Sequence, residues 1–408
     1  MARAAGRRLS VLLGTTVAGA ATASSAITAM QERRPWGSSY LALGMRDRSV
    51  IANRTVMNKL YVEDVRKLRD VVPEHPQHVP LTLQPAYALG GRARLRILSW
   101  NINILCGPDG SASVGGLRRI DPDLVADVIK HVNADIVCLQ ETIDWIPPKF
   151  KDYLEKQGVG ELDVRMRRLN AHLRKQGFET VLRSCAPPST GNPVLVASRI
   201  PVLHEETCQL APSQAKANGM ECPRQAAYVE VGVTERGNAT IGVYATHLHH
   251  INYASNEGQR AAEIESLLDH AKARQKRNHR IATIATGDFN QARQQDYTAD
   301  EWAVVAEALG KVRQPENDGV FEALQKAHFT CSYDAAPPET NFGGRRAPAF
   351  THWTGTTVDY LYMLDERKEP GSASGKDRGH AEIAGSYVVF SDLSDHLPII
   401  TDIALDLP

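Results

Sequence analysis

Charge of one sign, cysteine and long apolar runs are all scarce in this chain. The 47 basic and 47 acidic side chains cancel to a formal net charge of zero. That argues against a protein held on nucleic acid by an overall positive field, while leaving room for a local basic groove. The six cysteines, scattered from Cys106 to Cys331, are too few for a disulfide scaffold. No CxxC pair or Cys/His cluster has zinc spacing. Cys138 lies in an apolar run and reads as a buried thiol. Cys208 and Cys222 flank a loop-like stretch and read as free thiols or, in an exported protein, as a pair. No internal repeat or long low-complexity segment is present, and no apolar run makes a convincing membrane span.

Acidic residues are missing altogether from residues 1–31, where Arg3, Arg7 and Arg8 precede a mildly apolar run starting at Leu9. Small-residue stretches at Ala21-Thr22-Ala23 and Ser24-Ser25-Ala26 fit cleavage sites. The segment therefore reads as a secretory or twin-arginine export signal, an organelle transit peptide, or a disordered tail. Residues 32–93 form an irregular lead-in with one short helix expected at Lys59 to Val71, before Pro73, Pro76, Pro80 and Pro85 break regular structure. The main domain is expected over residues 94–408. Hydrophobic content of 42% and charged content of 23% are ordinary for a globular chain.

Within that domain strands and helices alternate. Asp121 with Pro122 in the first turn marks a helix start. Leu124, Val125, Val128, Ile129 and Val132 repeat at helical spacing. Further helices are expected at Leu162 to Lys175, around Ala261 to Ala271, at Asp300 to Leu309 and at Val320 to Lys326. About nine strands are expected, several of them adjacent in sequence. A purely parallel sheet would need a crossover between every pair. The pattern predicts an α/β fold with two stacked mixed sheets and helices outside.

Polar residues end the apolar runs. Asn101 and Asn103 follow Leu95 to Trp100, and Glu141 follows Asp135 to Gln140. His247 follows Thr240 to Thr246. Asp288 and Asn290 follow Ile281 to Gly287. Asp359 sits in Thr357 to Tyr362, and Ser394-Asp395-His396 opens Leu397 to Ile400. Carboxylates are costly inside a sheet but tolerated at strand ends, where they can converge on one rim. Glu141, with Asn101 and Asp395 near it, is the expected site of a hard cation such as magnesium, which prefers carboxylate oxygens and water. Asp288 can activate or orient a water, and Asn290 can donate to a phosphoryl oxygen. His396 can stabilise charge on a phosphate, with Asp395 or Asp359 fixing its tautomer. His247 can contact the phosphate or leaving group, whereas His249 and His250 read as structural or merely exposed. Arg224, Arg345 and Trp353 are candidate substrate contacts, Trp353 by stacking a base.

Taken in order, Trp100-Asn101-Ile102-Asn103, Leu139-Gln140-Glu141, Thr246-His247-Leu248, Gly287-Asp288-Phe289-Asn290, Val358-Asp359-Tyr360 and Ser394-Asp395-His396-Leu397-Pro398 resemble the endonuclease/exonuclease/phosphatase superfamily. The resemblance implies a four-layered, DNase I-like α/β sandwich. It also implies a magnesium-dependent phosphoester hydrolase, manganese being an alternative ion. By motif, Glu141 binds the metal beside Asn101, Asp288 activates or positions water, and Asn290 holds the phosphate. His396 meets the scissile phosphate, oriented by Asp359, and Asp395 lies at the metal edge. The expected substrate is nucleic acid or a nucleic-acid-linked phosphoester. A lipid or inositol phosphate is the same-fold alternative, and a non-catalytic binding module the alternative of another class. No partner protein is evident.

Overall fold

The computed structural model describes residues 93–108, 117–143, 161–184, 193–211, 224–234, 238–249, 258–274, 279–299, 302, 319–337, 346–348, 351–352, 356–366, 379–389, 391 and 393–407. The amino-terminal segment, the lead-in helix, His250, Cys222, Arg345, Trp353 and, apart from Trp302, the helix expected at 300–309 lie outside them.

The first sheet takes β1 (Ala93–Asn101) into its middle. A small two-stranded ribbon follows, made of β2 (Cys106–Pro108) and β3 (Leu117–Arg119). Helix α1 (Pro122–Val132) begins where expected: the Asp121 side chain accepts from the Asp123 N–H at 3.1 Å, and Pro122 fills the first helical position. It ends on Asn133 in the left-handed region, φ 53°. After β4 (Ile136–Gln140) come α2 (Leu162–Lys175), β5 (Thr180–Arg183) and β6 (Leu195–Ser198). The second sheet is built from β7 (Val202–Gln209), β8 (Gln225–Gly232), β9 (Thr240–His247) and, after α3 (Gln259–Arg274), β10 (Arg280–Asp288). Helix α4 (Val320–Lys326), β11 (Thr330–Cys331), the short α5 (Ser332–Ala335) and β12 (Asp359–Asp365) complete that half. The chain then returns to the first sheet with β13 (His380–Val388) and β14 (Ile399–Asp406).

Strand order is β13-β14-β1-β4-β6-β5 in one sheet and β11-β12-β10-β9-β8-β7 in the other. Each has one parallel pair at its centre, β1/β4 and β9/β10, with antiparallel neighbours on both sides. Side-chain alternation sorts the apolar residues into three layers. Leu95, Ile97, Val229, Val243, Ile284, Leu361 and Ile403 fill the space between the sheets. Leu98 and Trp100 pack outward against Val125, Ile129 and Leu169 of α1 and α2. Tyr228, Tyr244 and Tyr362 pack outward with Ile264 and Leu324 of α3 and α4. This is the expected four-layered α/β sandwich.

The expected strand set was too short. Strand β7 was missed because its exposure alternates along an edge, and β2, β3 and β11 have only three or two residues each. Cys138 and Cys208 are both buried free thiols. Among the described residues no helix is long and apolar enough to cross a membrane.

Candidate active site

The two central parallel pairs end on the same rim. Asn101 lies opposite Gln140 in register, and Asp288 lies opposite both His247 and Asp359. Asn101, His247, Asp288 and Asp359 share the parity of Ile97, Val243, Ile284 and Leu361, which face the space between the sheets. Their polar ends therefore meet where that apolar layer stops.

Backbone geometry at the rim is unusual. Glu141 leaves the strand at once with φ 56°, and Asn290 has φ 51°. Left-handed backbone is tolerated by asparagine but costs a glutamate roughly 1–3 kcal/mol, a strain that concentrates at functional sites. Thr142 clamps the turn, donating from its N–H and its hydroxyl to the Pro193 carbonyl at 3.1 and 3.0 Å. Gly287 has φ 145°, and a Cβ there would lie 1.9 Å from the Thr246 carbonyl oxygen. Only glycine lets β10 approach β9 so closely.

The side chains form one connected cluster. Asn101 Nδ2 donates to Asp288 Oδ2 at 3.1 Å and to Glu141 Oε1 at 3.3 Å, while its Oδ1 accepts from the Asn103 N–H at 2.9 Å. In this arrangement the Asn101 amide nitrogen bridges the two carboxylates. Asp288 Oδ1 accepts from the Asn290 N–H at 2.8 Å, and Asn290 Nδ2 donates to the Leu248 carbonyl at 2.9 Å. His247 Nε2 stands 3.3 Å from Asp288 Oδ2. His396 Nδ1 is 2.9 Å from Asp359 Oδ2, and its Nε2 is 3.7 Å from Asp288 Oδ2. The orienting carboxylate for His396 is thus Asp359; the adjacent Asp395 points instead toward His352, 3.7 Å away.

Buried supports hold these groups. The Trp100 indole N–H donates to the His396 carbonyl at 3.0 Å, the Ser394 hydroxyl to the Asn101 carbonyl at 2.7 Å, and the Tyr333 hydroxyl to the Asp359 carbonyl at 2.7 Å. Thr351 Oγ1 accepts from the Val358 and Asp359 N–H groups at 3.0 and 3.1 Å. Ser394 was visible in the sequence as part of its motif. Thr351 and His352 lie in the stretch Phe350-Thr351-His352-Trp353, which the sequence offers as a rim ahead of Asp359; Tyr333 was not singled out, because nothing local ties it to the rim.

The electrostatics follow from crowding negative charge at a half-buried rim. Burial pushes the Glu141 carboxyl up to about 7, and Asp395 and Asp288 push the same way against His396 and Asn101. Asp288 is also raised, by burial and Asp359, against His396. Burial would lower His396, but Asp359 and Asp288 overcome it and lift the imidazole to about 10. Burial likewise works against the Asp395 carboxylate, yet His352 and His396 hold it at about 2.

The donor set fits a hard cation. Glu141, Asp395 and Asp288 raise or crowd one another without a facing lysine or arginine among the described site residues, and Asp359 Oδ1 is buried with no hydrogen-bond partner among them. A carboxylate-rich, water-accessible rim of this kind suits magnesium or manganese. Asp288, Asp359 and His396 also lie close enough together to share an ion.

Comparison with known proteins decides the family. The sequence model described as "Endonuclease/Exonuclease/phosphatase family" matches residues 98–396. The chain belongs to the endonuclease/exonuclease/phosphatase family. As a member it is a phosphoester hydrolase. Among solved structures, an endonuclease/exonuclease/phosphatase from Beutenbergia cavernae DSM 12333 is similar over 77% of this chain and 72% of its own, at 19% identity and a TM-score of 0.51. Truncated Caenorhabditis elegans TDP2 covers 76% of this chain and 97% of its own at 17% identity, TM-score 0.42. The human Nocturnin catalytic domain covers 77% and 97% at 17% identity, TM-score 0.43. No curated protein matches the sequence.

His249 is structural, as read: its ring Nδ1 and backbone N–H meet Glu263 at 2.9 and 2.8 Å. Arg224 is buried just ahead of β8 and shares the parity of Ala226 and Tyr228, which pack in the outer layer.

Proposed function

We propose that this protein is a magnesium-dependent phosphodiesterase acting on nucleic acid or a nucleic-acid-linked phosphoester. The observation that carries the reading is the single cluster formed by Asn101, Glu141, His247, Asp288, Asn290, Asp359 and His396, drawn from strands of both sheets. Glu141 and Asp395 would hold the ion, with Asn101 setting the spacing between Glu141 and Asp288. When bound, the ion supplies Lewis-acid stabilisation of charge on a phosphoryl oxygen.

The protein's own groups do the rest. Asp288, raised by its surroundings and fixed by Asn101 and the Asn290 N–H, orients a water and takes its proton. His396, held as an imidazolium by Asp359, donates from Nε2 to a non-bridging oxygen as charge grows there. His247, at hydrogen-bonding distance from Asp288, steadies that carboxylate and faces the leaving group. In-line attack by water then breaks the P–O bond, and the departing oxygen takes up a proton.

Nucleic acid is the proposed substrate class, with a lipid or inositol phosphate the same-fold alternative. The test is a hydrolysis panel of single-stranded DNA, RNA, sphingomyelin and phosphoinositides, with and without chelator. Turnover confined to the lipid substrates refutes the substrate assignment; turnover indifferent to chelator refutes the metal. The amino-terminal segment is proposed to direct export or organelle import, which a fusion of residues 1–31 to a reporter would test.

A further inference from the structure

We propose that His352, Asp395 and His396 form a second metal site, suited to zinc rather than magnesium, and that zinc held there silences hydrolysis. One ligand atom from each of the three residues lies within 4.8 Å of the other two. The inhibitory half of the proposal rests on the role given to His396 above; the site itself does not.

The two imidazoles arrive on fixed backbone. His352 and His396 pair through an isolated antiparallel bridge, and their ring centroids are 4.4 Å apart. The His352 N–H donates to the Thr356 carbonyl at 3.0 Å, and the Leu397 N–H to the Thr351 carbonyl at 2.7 Å. Both rings are thereby placed before any ion arrives, which removes most of the ordering cost of binding.

The surroundings have the features of an imidazole metal site. A metal-binding histidine usually gives its other ring nitrogen to a carboxylate. His396 does so, with Nδ1 at 2.9 Å from Asp359 Oδ2, and this leaves Nε2 for an ion. Asp395 Oδ2 and His352 Nε2 stand 3.7 Å apart, facing one another as an ion pair does. Two donors on one tetrahedral zinc, each about 2.0–2.1 Å from it, are separated by about 3.3 Å. The His352 and Asp395 side chains are 24% and 33% exposed, so an ion has an entry path and an open position for water.

Donor chemistry separates this site from the Glu141 rim. Two nitrogens and one carboxylate favour zinc and similar transition ions, whereas all-oxygen surroundings favour magnesium. Asp395 stands between the two sites. An ion on His396 Nε2 excludes a proton from that nitrogen, so the same atom can no longer donate to a phosphoryl oxygen.

The experiment uses the full chain in saturating magnesium, with zinc itself as the probe. Calorimetry measures zinc binding, and the visible absorption of added cobalt reports the coordination. His352→Phe keeps a ring against His396 but removes a ligand; His352→Gln is a second variant should the first perturb folding. We expect the wild type to bind zinc with loss of activity. In His352→Phe zinc affinity should fall more than about tenfold, since even outer-shell partners change metal affinity by 10–100-fold. The zinc inhibition midpoint, referred to each variant's own magnesium-supported rate, should rise in step with the affinity loss. Unchanged zinc affinity and cobalt spectrum in both variants would overturn the site. Lost binding with an unmoved inhibition midpoint would overturn the inhibition. A chain that hydrolyses nothing would fail the hydrolase reading, while the calorimetry would still decide the site.

Discussion

Replacing Asp359 by Asn removes one charge from the site while leaving its shape almost unchanged. Asp359 is the largest of the influences lifting His396 from an ordinary 6.5 to about 10, and it sits at 2.9 Å from the ring. Asp288 and Asp395 supply the remaining lift, while burial opposes it. We expect the His396 pKa to fall by about two pH units, equivalent to ~3 kcal/mol in the imidazolium form. If the imidazolium meets the ester, kcat/KM should change little at neutral pH, where that form still predominates, and should fall on the order of 10²-fold near pH 10. The alkaline limb of the pH–rate profile should move down by the same ~2 units. Stability changes in a defined direction as well. Because the folded pKa of His396 is raised, its contribution is complete below about pH 6.5 and is lost as pH rises through about 10. Denaturant melts of the wild type should therefore weaken across that window more steeply than those of the variant. The measurements are steady-state rates from pH 5 to 10 and a histidine titration by nuclear magnetic resonance. A variant whose rate profile superimposes on the wild type would refute the reasoning.

Other perturbations test separate parts of the account. Asp288→Asn should cost at least about 10³-fold in kcat, as expected for a lost base, with a thermal melt close to wild type; full activity would remove Asp288 from the mechanism. Gly287→Ala forces a Cβ to within 1.9 Å of the Thr246 carbonyl oxygen, and overpacking plus backbone strain should destabilise by about 3 kcal/mol or more. An unchanged unfolding midpoint would contradict the close approach of β9 and β10. Asp402→Ala leaves the fully buried Arg96, held by Asp402 at 2.7 and 2.9 Å, without its counter-charge, and should cost about 3–5 kcal/mol. Urea unfolding within about 0.5 kcal/mol of wild type would show that the pair carries little.

The sequence disclosed the rim because polar residues interrupt apolar runs, and a strand core has no use for Glu141, Asp288 or His396. Their meeting point was legible only as a consequence of strand ends. For the partner of His396 the residues alone leave Asp395 and Asp359 both open, while the resemblance implies Asp359, which, 37 positions away, takes the ring. That choice follows from β12 running antiparallel beside β10, with Asp359 opposite Asp288. Strand β7 escaped because its polar side chains have partners: Glu206 faces Arg274 and His270 of α3, so half its surface is covered without being apolar. The helices were clearer, since α1 carries its own start signal and α2 and α4 match their apolar spacing. His352 was legible as part of the rim stretch Phe350 to Trp353, but its pairing with His396 was not; the isolated bridge supplies it.

The most direct test of the central claim is anomalous diffraction from crystals of this protein soaked in manganese with a non-hydrolysable phosphodiester. The account predicts a manganese peak bound by the Glu141 carboxylate, with the phosphoryl group between it and His396 Nε2. A peak remote from Glu141, with the phosphoryl group out of reach of both Asp288 and His396, would contradict it.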